Sequence, residues 1–227
     1  EYHYFSRRWI RTKDSPCGAD PMLMLFTSGT TGYPKMAMHS YKYALGHYVT
    51  AKYWHMCERD GLHFTISDTG WGKALWGKLY GQWLCEAANF VYDFDRFDAE
   101  KILPLFKKYN ITTFCAPPTI FRFLAKEDLS MYDFSTLEHV STAGEAMPPE
   151  VSEAFARFSG HLPFEGFGQT ETALSIGTLA NVTPKPGSMG KANPQYKVVL
   201  LDPDGKPVAV GDTGEICIKA EQQNHPM

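Results

Sequence analysis

The sequence has 227 residues, of which 44% are hydrophobic, and its formal net charge is −3 at pH 7. This length allows one large domain or one and a half smaller ones, and the hydrophobic fraction is sufficient for a sizeable core. A nearly neutral chain without a block of lysine and arginine residues is a poor candidate for nucleic-acid binding, and no apolar run reaches the roughly 18 residues that a membrane span requires.

Short apolar runs and amphipathic stretches alternate from residue 22 onward. Strands are predicted at 22–26, 61–66, 88–93, 111–116, 137–144 and 162–168, the first of them a buried strand. Helices are predicted at 40–54 behind a Ser40 cap, at 70–87, at 98–110 with Asn110 as the stop, at 117–127 and at 148–158. This alternation predicts an α/β fold with a mostly parallel β-sheet covered by helices.

The pattern changes after about residue 180. From there to residue 220 the chain has short β runs and turn signals such as DPDGK, but no helical pattern. The predicted division is therefore a lead-in segment at 1–21, an α/β subdomain at 22–180 and the beginning of a β-rich, barrel-like subdomain at 181–227.

The five cysteines are scattered and form no C-x-x-C pair. Several stand in apolar surroundings such as TTFCAPP and GEICIKA, which is typical of free thiols in a reducing compartment rather than of disulfides or a metal site. The first residues, EYHYFSRRWIRT, have no apolar core after their arginines and do not look like a signal peptide. We therefore expect a cytoplasmic protein.

The segment LFTSGTTGYPK follows the first predicted strand directly and is rich in small polar residues. Ligands of open α/β sheets bind beyond the carboxyl ends of the strands, where this loop begins. Gly29 and Gly32 allow a tight turn whose backbone N–H groups can hold an anion. Hydroxyl groups and a lysine accompany them, at Thr27, Ser28, Thr30, Thr31 and Lys35. This set suits a polyphosphate, although the spacing is not that of Walker A; a solvated turn is the alternative.

The segment FTSGTTGYPK resembles the phosphate loop of the adenylate-forming enzymes, which include acyl-CoA synthetases, luciferases and the adenylation domains of peptide synthetases. STAGEAMPPE at 141–150 resembles their adenine-contacting segment, and GFGQTE at 166–171 resembles their aromatic-Gly-x-Thr-Glu motif. GSMGKANP and GDTGEICIKA resemble the two stretches that follow. The resemblance implies two steps: a carboxylate attacks the α-phosphate of ATP, and a thiol, usually that of coenzyme A, then takes the acyl group from the adenylate.

The resemblance also implies roles for single residues. Thr170, Glu171 and Lys35 are expected to act on the reacting phosphates, with Glu171 holding Mg²⁺. Phe167 would stack on the adenine. Phosphate contacts are implied for Thr27, Ser28, Gly29, Thr30, Thr31, Gly32 and Lys35, and the rest of the nucleotide site for Gly144, Glu145, Gly166, Gly168, Gln169 and Thr170.

ISDTGWGKALW at 66–76 resembles a segment of medium-chain acyl-CoA synthetases that builds the acyl pocket. Trp71 is predicted to wall this pocket, with a structural role as the alternative, whereas Lys73 is expected to pair locally with Asp68. Acetyl-CoA synthetases shorten the pocket with a tryptophan immediately before Gln-Thr-Glu, where this chain has Gly168. We therefore expect a carboxylate longer than acetate: medium-chain, branched or aromatic.

Several parts of the family lie outside the matched stretch: the portion before the phosphate loop, the ribose-binding aspartate, the hinge and the C-terminal domain with its catalytic lysine. The missing initiator methionine also suggests an excised or processed chain. The 227 residues alone are therefore not expected to complete acyl-CoA synthesis. Two other functions stay open: an amino-acid-adenylating domain, in which Asp68 would hold the α-amine, and a non-catalytic ATP-binding domain.

Overall fold

The computed structural model describes residues 13–27, 33–68 and 70–219. Its strands are β1 (Pro21–Thr27), β2 (Lys35–Ser40), β3 (Leu62–Thr65), β4 (Ala88–Phe90), β5 (Thr113–Ala116), β6 (His139–Ala143), β7 (Phe164–Gly168), β8 (Leu174–Gly177), β9 (Lys191–Ala192), β10 (Val198–Leu201) and β11 (Glu215–Ile218). Its helices are α1 (Lys42–Tyr53), α2 (Gly72–Lys78), α3 (Tyr80–Leu84), α4 (Ala99–Tyr109), α5 (Pro118–Leu124) and α6 (Pro149–Ser159), with a 3₁₀ turn at Leu129–Met131.

A seven-stranded sheet in the order β4-β3-β5-β6-β7-β8-β9 forms the centre of the molecule. The strands β4, β3, β5, β6 and β7 are parallel, and β8 and β9 continue the sheet in antiparallel fashion. Helices follow the parallel strands along the chain, as crossover connections between parallel strands require. The predicted α/β fold with a mostly parallel sheet is therefore confirmed.

One face of this sheet is apolar and packs against α4, α5 and α6. Phe114 of β5 meets Phe106 of α4 edge to face, with ring centroids 4.9 Å apart. Phe121 of α5 and Phe155 of α6 form a second such pair at 5.0 Å. All four rings are fully buried, and burial of a side chain of this kind stabilises a fold by roughly 1.5–3 kcal/mol.

Successive side chains of a strand point to opposite faces of the sheet. The side chains of β3, β5 and β6 that point away from α4, α5 and α6 are largely polar. Thr65 donates to the carbonyl of Gly77 in α2 at 2.6 Å, so its oxygen accepts from His63 Nε2 at 2.7 Å. His63 Nδ1 then accepts from Thr113 Oγ1 at 2.7 Å. This chain of hydrogen bonds joins β3 to β5 and α2.

The first strand differs from its prediction as a buried strand. β1 pairs antiparallel with β2 in a separate two-stranded sheet. Cross-strand neighbours lie on the same face of a hairpin, and Met24, Phe26, Met36 and Met38 of one face are 55%, 69%, 62% and 62% exposed. The run MLMLF is apolar on both faces, but this small sheet is covered on only one of them, so periodicity alone was misleading.

The helix predicted at 70–87 is broken. α2 and α3 are separated at Leu79, whose dihedral angles of −128° and −87° are not helical. Trp83 and Leu84, near the end of the predicted helix, are 62% and 42% exposed, so they do not pack in the core. The predicted Ser40 cap is also wrong, because α1 begins after Tyr41 without a side-chain capping bond.

The central sheet continues past residue 180, where a β-rich subdomain was predicted to begin. β9 pairs with β8 at Ile176 and Gly177, so the sheet extends to Ala192. β10 and β11 form a separate antiparallel pair. The division into subdomains stays a prediction, with its boundary moved beyond β9.

Two expectations from composition can be compared with the described residues. None of their helices combines the length and apolar character needed to cross a bilayer. The five cysteines are free thiols; Cys57, Cys85 and Cys115 are buried. Burial is the main reason that the pKa of the Cys57 thiol is raised, so it is unreactive at neutral pH.

Candidate functional site

The polar loop joins the two strands of the hairpin. Thr27 and Lys35 are partners in the register at the loop end of β1 and β2. β1 and β2 form a sheet of their own, so the loop does not begin at the carboxyl end of a strand of the parallel sheet, as was expected. Lys35 is exposed, and no ion pair joins it to any described residue. The remaining predicted phosphate contacts, Ser28, Gly29, Thr30, Thr31 and Gly32, lie outside the described residues.

A cavity of about 300 Å³ joins this hairpin to two other predicted site segments. It is lined by Leu25, Phe26 and Thr27 of β1, by Gly70, Trp71 and Gly72, and by Thr170. Trp71 is 69% exposed, which excludes core packing as its role and is consistent with the predicted pocket wall. The structure thus brings Thr27, Trp71 and Thr170 together from distant parts of the sequence.

A larger apolar cavity of about 550 Å³ lies elsewhere, lined by Val49, Tyr53, Leu179 and Pro194 among others. It contains no residue that the sequence predicts for the site. Size alone therefore does not identify the functional cavity, whereas the convergence of polar groups and predicted residues does.

Thr170 and Glu171 lie in the turn between β7 and β8. Thr172 fixes the shape of this turn: its hydroxyl accepts from Gln169 N at 3.2 Å and donates to Ala173 O at 2.9 Å. Thr170 is half-buried, whereas Gln169 and Glu171 are exposed. Sequence reasoning missed Thr172, which directly follows the recognised motif.

Gly168 does not leave the open space that was expected. A bulge separates Phe167 from Gly168 in the pairing with β8, and a Cβ at residue 168 would overlap the carbonyl oxygen of Ala173. The glycine is needed because the backbone of β8 approaches so closely. The backbone at Gly168 therefore does not support the expectation of an acyl group longer than acetate.

The predicted adenine segment begins where β6 ends. Gly144 has a φ of 107°, which side-chain-bearing residues rarely adopt. The Glu145 carboxylate accepts from Thr119 Oγ1 at 2.7 Å and pairs with Arg122 of α5 at 3.2 Å. The Glu145 side chain is consequently oriented by α5, a contact that the sequence did not reveal.

The two remaining predicted residues of β7 differ in burial. Gly166 is buried against Trp54 and Leu174, where a side chain would not fit. Phe167 is half-buried, so part of its ring can still be reached by a ligand. Glu165 binds the backbone N–H of Met147 at 3.4 Å and that of Gly187 at 3.2 Å, and thereby attaches the GSMGKANP segment to this edge.

Lys73 does not pair with Asp68. Its Nζ donates to the carbonyl of Ala143 at 2.9 Å, across 70 positions of sequence. The Asp68 carboxylate instead accepts from Gly70 N at 2.7 Å. Burial lowers the pKa of Lys73, and the part-buried lysine holds the end of β6, next to Gly144. The expected local pair with Asp68 is therefore wrong.

His39 is a further residue that sequence reasoning missed. It lies in β2, is 2% exposed, and its Nε2 donates to the carbonyl of Thr170 at 2.7 Å. The only signal in the sequence is a polar residue within the apolar stretch KMAMHS.

The acidic and imidazole groups of the described chain do not form a metal cluster of three or more. The exposed Glu171 carboxylate forms no ion pair with another described residue. A single free carboxylate at the edge of the cavity fits the ordinary way in which Mg²⁺ is bound with a nucleotide, through one or two carboxylates and the phosphates.

Known proteins resemble this chain in sequence and in fold. The family "AMP-binding enzyme" matches residues 5–224. The human "Acyl-coenzyme A synthetase ACSM4, mitochondrial" is 40% identical over 201 residues, which are 88% of this chain and 35% of that protein. An acyl-CoA synthetase from Brucella canis has a TM-score of 0.81 at 27% identity, covering 88% of this chain and 37% of the other.

A second solved structure, the anthranilate CoA ligase AuaEII in complex with anthranoyl-AMP, has a TM-score of 0.80 at 26% identity. The match covers 90% of this chain and 40% of that ligase. The chain spans about a third of the length of the human acyl-coenzyme A synthetase ACSM4.

Proposed function

The chain belongs to the AMP-binding enzyme family, and from this premise we propose that it is part of an AMP-forming acyl-CoA synthetase. The enzyme would join a carboxylic acid to the α-phosphate of ATP, release pyrophosphate and pass the acyl group to coenzyme A. The observation that supports this most directly is the cavity in which Thr27, Trp71 and Thr170 meet.

The phosphates of ATP would lie between the hairpin and the turn that follows β7. Lys35 supplies a free positive charge beside the loop, and the Thr170 hydroxyl lies at the cavity, where it can donate to the α-phosphate. Charge developing on phosphate oxygens is stabilised by fixed donors of this kind, and positioning contributes much of the catalysis. Ser28, Gly29, Thr30, Thr31 and Gly32 are proposed to add backbone and hydroxyl donors.

Mg²⁺ and the adenine complete the proposed nucleotide complex. Glu171 would bind Mg²⁺, which neutralises phosphate charge when bound. The adenine would stack on the accessible part of Phe167 and lie beside Gly144, Glu145 and Gln169. Glu145 is suited to this place because Arg122 and Thr119 already orient its carboxylate.

The proposed substrate is a carboxylic acid with an apolar tail. Leu25, Phe26 and Trp71 provide apolar surface at the cavity beside its polar groups, and sites for small molecules combine apolar side chains with polar groups that orient the ligand. The related ligase AuaEII holds anthranoyl-AMP, an adenylate of an aromatic acid. Medium-chain, branched or aromatic acids therefore stay the proposed class, supported by this lining rather than by Gly168.

The cellular location is a separate proposal. Free thiols favour a reducing compartment such as the cytoplasm. The human relative is named as mitochondrial, which favours the mitochondrion instead. We propose fractionation of cells that express the natural protein; recovery with mitochondria would contradict the cytoplasmic expectation.

Carboxylate-dependent exchange between ATP and pyrophosphate tests the proposed function. The assay uses the natural full-length protein that contains this chain, with acetate, hexanoate, octanoate, isobutyrate, benzoate and several amino acids as substrates. Exchange with an acid longer than acetate is expected. Exchange with amino acids alone would identify an amino-acid-adenylating domain, and no exchange despite ATP binding would contradict adenylation.

A further inference from the structure

His39 connects the two halves of the proposed phosphate site. Its ring nitrogen Nε2 lies 2.7 Å from the backbone oxygen of Thr170, 131 positions later in the sequence. A carbonyl oxygen can only accept, so Nε2 carries the proton and donates it. The bond joins β2, which follows the loop at 28–32, to the turn that carries Thr170 and Glu171.

The His39 ring is held rigidly on its other side. It stacks on the Tyr43 ring with centroids 3.9 Å apart and an interplanar angle of 20°. Tyr43 lies in the first turn of α1, is 2% exposed, and meets His47 edge to face at 4.4 Å. A donor fixed in this way can determine where its acceptor lies, whereas a mobile side chain would follow it.

Two different groups therefore control the turn after β7. Thr172 determines its internal shape by bonding to Gln169 and Ala173 within the turn. His39 instead determines the place of the turn relative to the hairpin, because its partner belongs to another part of the sequence. The position of the turn relative to the hairpin matters for a ligand that contacts both the turn and the hairpin.

We propose that His39 is a positioning residue for adenylation: its Nε2–H holds the Thr170 carbonyl and so keeps Thr170 and Glu171 in place relative to Thr27 and Lys35, which pair across β1 and β2. The proposal rests on the proposed function, since it concerns the same site. Displacement of a reacting group by about 1 Å can cost a large factor in rate. Loss of this bond should therefore reduce the use of ATP more than it reduces stability.

Two amide variants separate positioning from packing. In His39→Gln the amide nitrogen lies at about the place of Nε2 and can still donate to Thr170, whereas in His39→Asn it lies at about the place of Nδ1 and falls short. The matched control is His161, whose Nε2 donates to the carbonyl of Leu137 at 2.8 Å, away from the residues that line the cavity. His161→Gln and His161→Asn provide the same pair of changes there.

The readout is the kcat and KM for ATP in pyrophosphate exchange by the natural full-length protein, together with the urea midpoint of each variant. His39→Asn should lower kcat/KM for ATP by roughly three- to tenfold relative to His39→Gln, the range that loss of one neutral hydrogen bond produces. The two His161 variants should not differ in kcat/KM. If His39→Asn does not fold, His39→Leu replaces it.

Three outcomes are distinguishable. Absence of exchange in the unmutated protein contradicts the proposed function, on which the positioning role rests. Normal exchange with equal kcat/KM in His39→Gln and His39→Asn overturns the positioning role alone. A difference that also occurs between the His161 variants, or that follows the urea midpoints, assigns the effect to stability and overturns it as well.

Discussion

Single residues of the site owe their places to different causes. Lys35 is exposed at the loop end of the hairpin, whereas Lys73 donates to the carbonyl of Ala143. In the sequence both are lysines near a loop. Only their surroundings in the structure show that Lys35 is an exposed charge and Lys73 a part-buried hydrogen-bond donor. Replacing a lysine that forms no ion pair changes the free energy of unfolding little. Lys35 is therefore a better probe of ligand binding than Lys73.

We predict that Lys35→Ala weakens the binding of ATP by about ten- to hundredfold, the effect of losing a hydrogen bond to a charged group. The urea midpoint should stay unchanged because the side chain is exposed. Titration calorimetry with ATP and Mg²⁺ measures the affinity, and Lys206→Ala, at another exposed lysine, is the control. Unfolding of the Lys35→Ala protein with unchanged affinity would contradict the phosphate role.

Gly168 permits a second test at this scale. We predict that Gly168→Ala lowers the free energy of unfolding by about 1–3 kcal/mol, since the new methyl group meets the rigid backbone of Ala173. Gly18→Ala is the control, because a Cβ there meets only the flexible Lys42 side chain. Urea denaturation measures both. Unchanged stability of Gly168→Ala would mean that the bulge relaxes and that the backbone of Ala173 does not restrict this position.

Helices with clear end signals follow their predictions more closely than the hairpin does. α4 spans Ala99–Tyr109 within the predicted 98–110, with Glu100 in its first turn and Lys107 and Lys108 in its last. Asn110 ends it in the left-handed conformation, with φ of 55° and ψ of 49°. These signals are local, so neighbouring residues suffice to predict them.

The end of α4 can be tested directly. Asn110→Val should lower the free energy of unfolding by about 1–2 kcal/mol, because a β-branched residue is strained in the left-handed region. Asn110→Gly should be neutral or slightly stabilising at the same place. Thermal unfolding of the two variants provides the comparison, and equal midpoints would show that the cap geometry contributes nothing.

At the scale of the whole molecule, the two faces of the central sheet bury different kinds of side chain. The face toward α4, α5 and α6 is packed with phenylalanine rings, while the other buries histidines. Burial lowers the pKa of His47 and His63 to about 3 and that of His139 to about 4, and lowers the pKa of His55 well below its usual value. These four rings are therefore neutral in the folded protein at pH 7.

The stability of the whole fold should consequently depend on pH. Histidines of the unfolded chain take up protons below about pH 6.5, whereas His47, His63 and His139 do so only near or below pH 4 in the folded protein, and burial lowers the pKa of His55 as well. Their stabilisation is complete above pH 6.5 and is lost as the pH falls, by up to about 1.4 kcal/mol per pH unit for each ring. Glu165, whose pKa burial raises, acts in the opposite direction but is a single group.

Urea unfolding at pH 7, 6 and 5 measures this dependence. The free energy of unfolding should fall steadily over that range, and His63→Gln should reduce the slope because one titrating ring is gone. A free energy that is constant between pH 7 and pH 5 would show that the buried rings titrate normally.

Local patterns were sufficient for much of this protein. The alternation of strands and helices between residues 61 and 168, apart from the break at Leu79, the stop at Asn110 and the family resemblance follow from residues that are close together in sequence. Hydrogen-bond capping, helix polarity and short motifs are properties of neighbours, so a single sequence contains them.

Tertiary structure alone decided the rest. The run MLMLF forms a hairpin strand with one exposed face, and Gly168 lies against the backbone of Ala173. Lys73 and His39 donate to backbone carbonyl groups 70 and 131 positions away in the sequence. The spacing of residues along a chain cannot specify such contacts, because they depend on which elements the sheet places side by side. The sequence by itself therefore determined the family and the candidate residues, and packing determined which of them meet.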